Sequence, residues 1–268
     1  MSNITEVEKR ISEIKNILDA KKHHDKDTVK LRNELSDLQQ KRSLLIGEAY
    51  DTLLHTNAII RELSSRLDVA RKNIDSMISE ELAKVSHWRY ATDDYFNPYP
   101  YHAEIHNCKK GRILKNVKEN ERFKKRTIHF FGFNESEQLV IMQYPNGDND
   151  IKFGATTVLY VSTPDSKIEG YVADWYPESN RPTELRAINT FMPLSDNNWI
   201  YAGVSSDKKN WSSNHYIYNA SNCVERVVSC TLYAGKPSCN FLDFFYDDEG
   251  HLERIMVGDY THWKRKSK

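Results

Sequence analysis

The chain has 268 residues, and its 38 basic and 38 acidic side chains give a formal net charge of zero. No apolar run approaches the roughly 18 residues of a membrane-spanning helix, and the N-terminus is charged where a signal peptide would be apolar. The four cysteines are too few and too unevenly spaced for a disulfide framework. We therefore expect a cytosolic protein with reduced thiols.

Aromatic residues, glycine and proline divide the chain into two regions. Residues 1–86 contain 1 of the 30 aromatic residues, 1 of the 10 glycines and none of the 8 prolines. Residues 87–126 carry 10 basic and 5 acidic residues, whereas residues 127–262 carry 9 and 18. Residues 263–268 add four basic residues. We predict a helical region, a junction, an acidic β domain and a basic tail over these four ranges.

The N-terminal region shows the spacing of amphipathic helices. Apolar residues recur every three or four positions, at Val7, Ile11, Ile14 and Leu18, then at Leu31, Leu35 and Leu38, and again at Ile60, Leu63, Leu67, Ala70, Ile74 and Met77. The register shifts near Gly47, which indicates a stutter in a coiled coil or a break between two helices. Two arrangements stay open: a helical hairpin, and a coiled coil that makes the protein a homo-oligomer.

The junction combines a proline-rich start with a basic run. Pro98 and Pro100 exclude a regular helix around them. Residues 109–126 contain nine basic and two acidic residues. Such a run is typical of a solvated helix face or of a strap across an acidic neighbour, and contact with nucleic acid is the alternative.

His102, His106 and Cys108 have a spacing that would suit three zinc ligands if the segment were helical. A fourth ligand is not evident, and Pro100 precedes the group. We interpret the spacing as coincidental and predict no metal site and no cofactor.

Ten strand-like runs follow, separated by clusters of turn residues. They cover 127–133, 138–144, 157–161, 170–176, 185–191, 199–204, 215–218, 224–233, 241–246 and 251–257. Because no helical pattern lies between them, they predict an antiparallel meander that closes as a curled sheet, a sandwich or a small propeller. The predicted fold class is α+β in separate segments, with a coiled coil or helical hairpin followed by an all-β meander.

Three hairpins share one pattern, which is an aromatic residue, Asp or Asn, four variable residues, Leu or Val, and an aliphatic residue or Met three positions later. They begin at Phe133, Tyr218 and Tyr246. Tyr246-Asp247 with Gly250-His251-Leu252 and Ile255, and Tyr218-Asn219 with Val224-Glu225-Arg226-Val227, resemble the YD repeat of the RHS type. Proteins with such hairpins occur in bacterial polymorphic toxin systems. The resemblance implies a small cytosolic protein that neutralises a toxin.

The function predicted from these patterns is non-enzymatic protein binding. The sequence has no Gly-rich phosphate loop, no Gly-x-Ser-x-Gly motif and no His-Glu-x-x-His motif. An immunity-type protein would use an acidic β domain to mask a basic toxin. Six carboxylates are the predicted contacts: Asp243, Asp247, Asp248, Glu249, Glu253 and Asp259.

The aromatic residues of the β region support an alternative from another class. Exposed rings that stack on sugars would make a lectin-like domain displayed on a coiled coil. The rings concerned are Trp175, Tyr176, Trp199, Tyr201, Trp211, Tyr216 and Tyr218. About half should instead lie in the core, because side chains alternate along a strand.

Overall fold

A computed structural model describes residues 4–20, 26–45, 48–115, 128–145, 154–165, 167–258 and 260–266. The helices are α1 Ile4–Ala20, α2 Lys26–Leu45, α3 Glu48–Ala83 and α4 His102–Ile105. The strands are β1 His87–Thr92, β2 Ile113–Leu114, β3 Ile128–Phe133, β4 Leu139–Pro145, β5 Ala155–Ser162, β6 Ile168–Trp175, β7 Glu184–Ser195, β8 Asn198–Ser205, β9 Trp211–Tyr218, β10 Val224–Tyr233, β11 Lys236–Tyr246, β12 Leu252–Val257 and β13 Tyr260–Lys264. None of the helices in these segments is long and apolar enough to cross a membrane.

The first two helices form an antiparallel hairpin. Ile14 on the apolar stripe of α1 is fully buried. Arg10 Nε lies 2.8 Å from Glu34 Oε1, and Arg42 Nε lies 3.0 Å from Glu8 Oε1. An early residue of α1 thus meets a late residue of α2, which is the pairing of antiparallel helices. α1 and α2 thus form a helical hairpin, and the homo-oligomer stays a prediction.

The third helix packs on the β-sheet. The members of its apolar stripe that are at most 2% exposed are Leu63, Leu67, Ile74 and Ile78. They form one core with strand residues, among them Ile141, Leu159, Ile188, Ile200 and Val204. With 36 residues, α3 is about 54 Å long. The register shift seen in the sequence falls between α2 and α3, at residues 46–47, which lie outside the described segments, so the stutter and the break both stay predictions.

The strands form one open antiparallel sheet in the order β13-β12-β11-β10-β9-β8-β7-β6-β5-β4-β3-β1-β2. The predicted helical N-terminus followed by an antiparallel meander is therefore confirmed, and in the described residues the meander is a single sheet. Each of the ten predicted runs overlaps a strand of the described residues. Three strands were not predicted from the sequence. β2 has only two residues, β1 lies in the predicted junction, and β13 crosses the predicted boundary between the β domain and the basic tail.

The two faces of the sheet have different neighbours. One face packs on α3, and the other is partly covered by an aromatic segment, residues 93–107. Tyr99 of this segment contacts the rings of Tyr160 and Tyr201. Its hydroxyl donates a hydrogen bond to Asn189, with 2.5 Å between Oη and Oδ1. The aromatic segment is thereby anchored to the middle of the sheet.

The basic run of the junction is described only as far as residue 115. Its described members are exposed: Lys109, Lys110, Arg112 and Lys115. Residues 116–127 lie outside the described segments, so the strap and the helix face both stay predictions.

The three repeated hairpins share one turn geometry. The side chain of Asn134, Asn219 or Asp247 accepts hydrogen bonds from the backbone N–H groups two and four residues later, at 2.8 to 3.1 Å. The residue three positions later has a positive φ, and at Gly250 it is 79°. Glycine adopts this conformation without steric cost. The Asp or Asn of the repeat is therefore required by the turn itself.

Two cysteines form a disulfide, which corrects the expectation of reduced thiols. Cys230 of β10 and Cys239 of β11 lie directly opposite each other, with Cα atoms 4.2 Å apart. Ala234 and Gly235 form the two-residue turn that sets this register. The spacing alone did not reveal the pair, because pairing depends on where that turn falls.

Candidate functional site

Five hairpin turns lie at the same end of the strands, along one side of the sheet. In an antiparallel meander, successive turns alternate between the two ends of the strands, so every second turn falls on the same side. The turns β3–β4, β5–β6, β7–β8, β9–β10 and β11–β12 meet this condition. We call this side the turn rim, and it comprises residues 134–138, 163–165 with 167, 196–197, 219–223 and 247–251.

The turn rim carries a row of exposed carboxylates. They belong to Glu135, Glu137, Asp165, Asp196, Asp248 and Glu249. Among the described residues, Glu137 pairs with Arg89 and lies 3.4 Å from His87, Glu249 lies 3.4 Å from His251, and no ion pair involves the other four. Lys167, the lysine of this rim, has a side chain only 15% exposed and pairs with Glu169 at 3.0 Å. The row therefore keeps its negative charge.

The six predicted carboxylates have different environments. Asp248 and Glu249 are exposed members of the turn rim. Asp243 pairs with Arg226, whose Nε lies 2.6 Å from Oδ1, and Glu253 pairs with the neighbouring Arg254 at 3.0 Å. Asp259 lies outside the described residues. The sequence did not suggest Glu135, Asp165 and Asp196, although counting every second hairpin turn would have placed them on this rim.

Asp247 holds its turn together. Its Oδ1 accepts the N–H groups of Glu249 and His251, and its Oδ2 lies 2.5 Å from Arg265 Nη2. The hydrogen bond from Arg265 lowers the pKa of this carboxyl below its usual value. Ligand atoms of Asp247, Glu249 and His251 lie within 4.8 Å of one another. Since Asp247 is already engaged by Arg265 and the backbone, we assign it to the turn.

A second group of polar side chains lines a cleft of about 550 Å³ beside β3. Asp94 follows β1, His102 begins α4 and His129 belongs to β3. Nδ1 of His129 lies 3.1 Å from Oδ1 of Asp94, and Nδ1 of His102 lies 3.8 Å from Oδ2. Burial opposes ionisation of Asp94, but the facing imidazoles outweigh it and lower the pKa of the carboxyl. Burial lowers the pKa of His102.

Of the three residues that the sequence grouped as zinc ligands, His102 and Cys108 both line this cleft. The rings of His102 and His106 are 4.6 Å apart, one turn of helix from each other. Cys108 is exposed, and its Sγ donates to the carbonyl oxygen of His106 at 3.4 Å. Asp94 and His129 line the same cleft, and no sequence spacing connects them to His102.

The aromatic residues that suggested a lectin are divided between core and surface. Tyr216 is 1% exposed, and the ring of Trp199 stacks on Phe191. Tyr201 and Trp211 line a groove of about 390 Å³ together with Asn189, which Tyr99 of the aromatic segment contacts. Only two of the seven rings line this groove, whereas a lectin-like surface would need several exposed, coplanar rings.

No family model, no curated protein and no solved structure matches this chain. The likeness of the hairpins to YD repeats therefore stays a prediction from the sequence.

Proposed function

We propose that this chain is a non-enzymatic binding protein whose turn rim engages a basic protein partner, in the manner of an immunity-type protein that masks a toxin. The observation that carries the proposal is the row of exposed rim carboxylates, four of which have no ion pair with a described residue.

The spacing of the row suits a protein surface. Neighbouring strands lie about 4.8 Å apart, so turns two strands apart are separated by about 10 Å. Five such turns extend over roughly 40 Å, which is longer than a small ligand. Screening acts over about 8 Å at physiological ionic strength. Each turn therefore presents a separate local charge to a different part of the partner.

The charge pattern favours fast association. A surface of one sign steers an oppositely charged partner and raises the association rate, and salt weakens this effect. Basic residues lie beside both ends of the rim, with Lys264, Arg265 and Lys266 at the β13 end and Arg89, which pairs with Glu137, at the β3 end. The middle of the rim, around Asp165 and Asp196, lies between these two groups in the strand order. We place the centre of the partner contact there.

Charge reversal tests this surface. The rim variant combines Asp196→Lys, Asp248→Lys and Glu249→Lys, and it keeps Asp247 because that residue holds a turn. The control variant combines Asp37→Lys, Asp51→Lys and Glu178→Lys, which are exposed positions away from the rim with the same change in net charge.

Wild type and both variants are immobilised and exposed to nuclease-treated extract of the source cells, and captured proteins are identified by mass spectrometry. We expect wild type and control to retain the same basic protein, the rim variant to lose it, and high salt to elute it. Equal capture by the rim variant would contradict the proposal. So would a bound glycan or nucleic acid in place of a protein.

A further inference from the structure

The groove of about 390 Å³ lies on the sheet towards the end of the strands opposite the turn rim. Its lining comes from β6 to β10 and from the residues next to the turns β8–β9 and β10–β11. Ligand sites of proteins have volumes of roughly 300 to 1,000 Å³ and combine apolar walls with a few polar groups. Among the described residues that line this groove, none has a charged side chain. The groove therefore has the size of a small-molecule site and suits an uncharged ligand.

Three aromatic rings line the groove. Tyr201 of β8 and Trp211 of β9 are half-buried, and Tyr233 at the end of β10 is 74% exposed. Flat aromatic ligands stack on such rings or meet them edge to face. A cavity of about 150 Å³ holds one benzene ring, so 390 Å³ leaves room for a ligand with two fused rings. Because Tyr233 is exposed, a bound ring would remove part of its apolar surface from water.

A buried amide supplies a hydrogen-bond donor to the groove. Asn189 of β7 lines the groove and is 5% exposed. Its Oδ1 accepts the hydrogen bond from Tyr99, whereas its Nδ2 donates to no residue that the structure describes. Gly170 of β6 and Gly203 of β8 lie directly opposite, and a Cβ atom at Gly170 would lie only 2.1 Å from Oδ1 of Asn189. The glycines leave space for the amide and Tyr99 holds one side of it, so its NH₂ group is available to a ligand.

Other polar side chains of the groove already have partners within the protein. Oδ1 of Asn210 accepts the backbone N–H of Ala234 at 3.1 Å, and Oγ of Ser205 accepts that of Asn210 at 3.1 Å. Oγ1 of Thr231 lies 3.1 Å from Oγ of Ser238. A pyranose would bring several hydroxyl groups, each of which needs a partner when it is buried. This lining therefore suits a ring with a single acceptor better than it suits a sugar.

We propose that this groove binds a neutral, flat heterocycle of one or two rings that carries a hydrogen-bond acceptor, which is a carbonyl oxygen or a ring nitrogen. Trp211 and Tyr233 contact the ring, and the amide of Asn189 donates to the acceptor. A site with a buried donor selects against analogues that lack an acceptor. A charged ligand would lose its hydration here without an opposite charge in the lining. The proposal is independent of the turn rim, which lies at the other end of the strands.

The test uses the full chain and four neutral probes. Caffeine and 9-methyladenine are flat heterocycles with acceptors, indole is a flat fused ring without one, and methyl β-D-glucopyranoside represents sugars. Calorimetry measures the affinities, and saturation-transfer NMR shows which protons of a probe contact the protein. The proteins are wild type, Asn189→Leu, Tyr233→Ala and Tyr260→Ala. Tyr260→Ala is the matched control, because Tyr260 is 67% exposed and belongs to β13, away from the groove.

We expect wild type and Tyr260→Ala to bind at least one of the two heterocycles equally well, and more tightly than indole. Asn189→Leu should bind that heterocycle about 3- to 10-fold more weakly and lose the preference over indole. Tyr233→Ala should weaken binding of the heterocycle and of indole alike, by about 2- to 10-fold.

Circular dichroism checks the fold of each variant. If Asn189→Leu does not fold, the exposed position of Tyr233 and the comparison of the heterocycles with indole decide the question. Four results would each overturn the proposal: no binding of either heterocycle to wild type, binding of the glucopyranoside in their place, full affinity in Tyr233→Ala, or loss of affinity in Tyr260→Ala.

Discussion

Arg66 of α3 and Glu169 of β6 form a bidentate ion pair between helix and sheet. Nη1 of Arg66 lies 2.7 Å from Oε1 of Glu169, and Nη2 contacts Oε2. The carboxylate also accepts a hydrogen bond from Tyr171 at 2.8 Å and lies 3.0 Å from Lys167 Nζ. The side chain of Glu169 is only 10% exposed, so this group fixes α3 at one position on the sheet.

Acid should weaken this connection between helix and sheet. Hydrogen bonding from Arg66 outweighs burial and lowers the pKa of Glu169 from 4.5 to about 2. A carboxyl with a depressed pKa in the folded state stabilises the protein above its unfolded pKa, and that contribution is lost as pH falls. We expect Glu169→Gln to be less stable than wild type by about 1–3 kcal/mol at pH 7, allowing for the partly exposed Arg66.

Urea unfolding at a series of pH values checks this expectation. The difference between wild type and Glu169→Gln should shrink as pH falls from 4.5 towards 2. A difference that stays constant over this range would show that ionisation of Glu169 does not contribute.

Truncating the core of α3 should destabilise helix and sheet together. Leu67 is completely buried in a core that contains residues of both, so Leu67→Ala should cost about 2–5 kcal/mol. Val69 is 63% exposed, and Val69→Ala serves as the control with little expected effect. Far-ultraviolet circular dichroism and tryptophan fluorescence should report one shifted transition. Separate transitions for the two probes would mean that α3 and the sheet unfold independently.

Substitution of the two neighbouring aspartates Asp247 and Asp248 should have different effects on stability. Asp247→Ala removes the acceptor of two backbone N–H groups and the partner of Arg265, and should cost about 1–2 kcal/mol. Asp248→Ala changes an exposed side chain without these contacts and should leave stability within about 0.5 kcal/mol. Denaturant unfolding distinguishes them, and equal stability of the two variants would refute the structural role of Asp247.

Removing the disulfide should lower stability without disrupting the fold. The bond closes a short hairpin loop, and loop-closure entropy for about ten residues corresponds to about 2–3 kcal/mol. The double variant Cys230→Ala with Cys239→Ala should therefore unfold at lower urea concentration. Dithiothreitol should lower the midpoint of wild type and leave that of the variant unchanged. A wild-type midpoint insensitive to the reductant would contradict the expected contribution.

Local patterns predicted the strands and the hairpin repeats well, because their signals lie within a few residues. Asp247 and Gly250 show why, since the turn that needs them is completed between residues 247 and 251. The buried stripe of Leu63 and Leu67 was also predictable from its spacing. That spacing does not identify the surface that the stripe packs against, so the sheet beneath α3 was not foreseen.

Contacts between distant segments could not be predicted in the same way. Arg66 and Glu169 are separated by 103 residues, and neither position is distinguished from other charged residues in the sequence. The approach of Asp94 to His129 likewise depends on the pairing of β1 with β3. The row of rim carboxylates depends on which hairpin turns share one end of the strands, and this becomes definite only when every strand from β3 to β12 is identified.

An open sheet has two edges at which backbone N–H and C=O groups lack a neighbouring strand, and such edges can recruit a strand from another molecule. The edge at β2 is only two residues long and offers little for pairing. The edge at β13 has five residues, and Tyr260, its first residue, is 67% exposed. Lys264 and the following basic residues would repel a second copy aligned along this edge. Concentrated solutions of this protein should therefore aggregate more readily as salt screens that repulsion, with growth starting at β13.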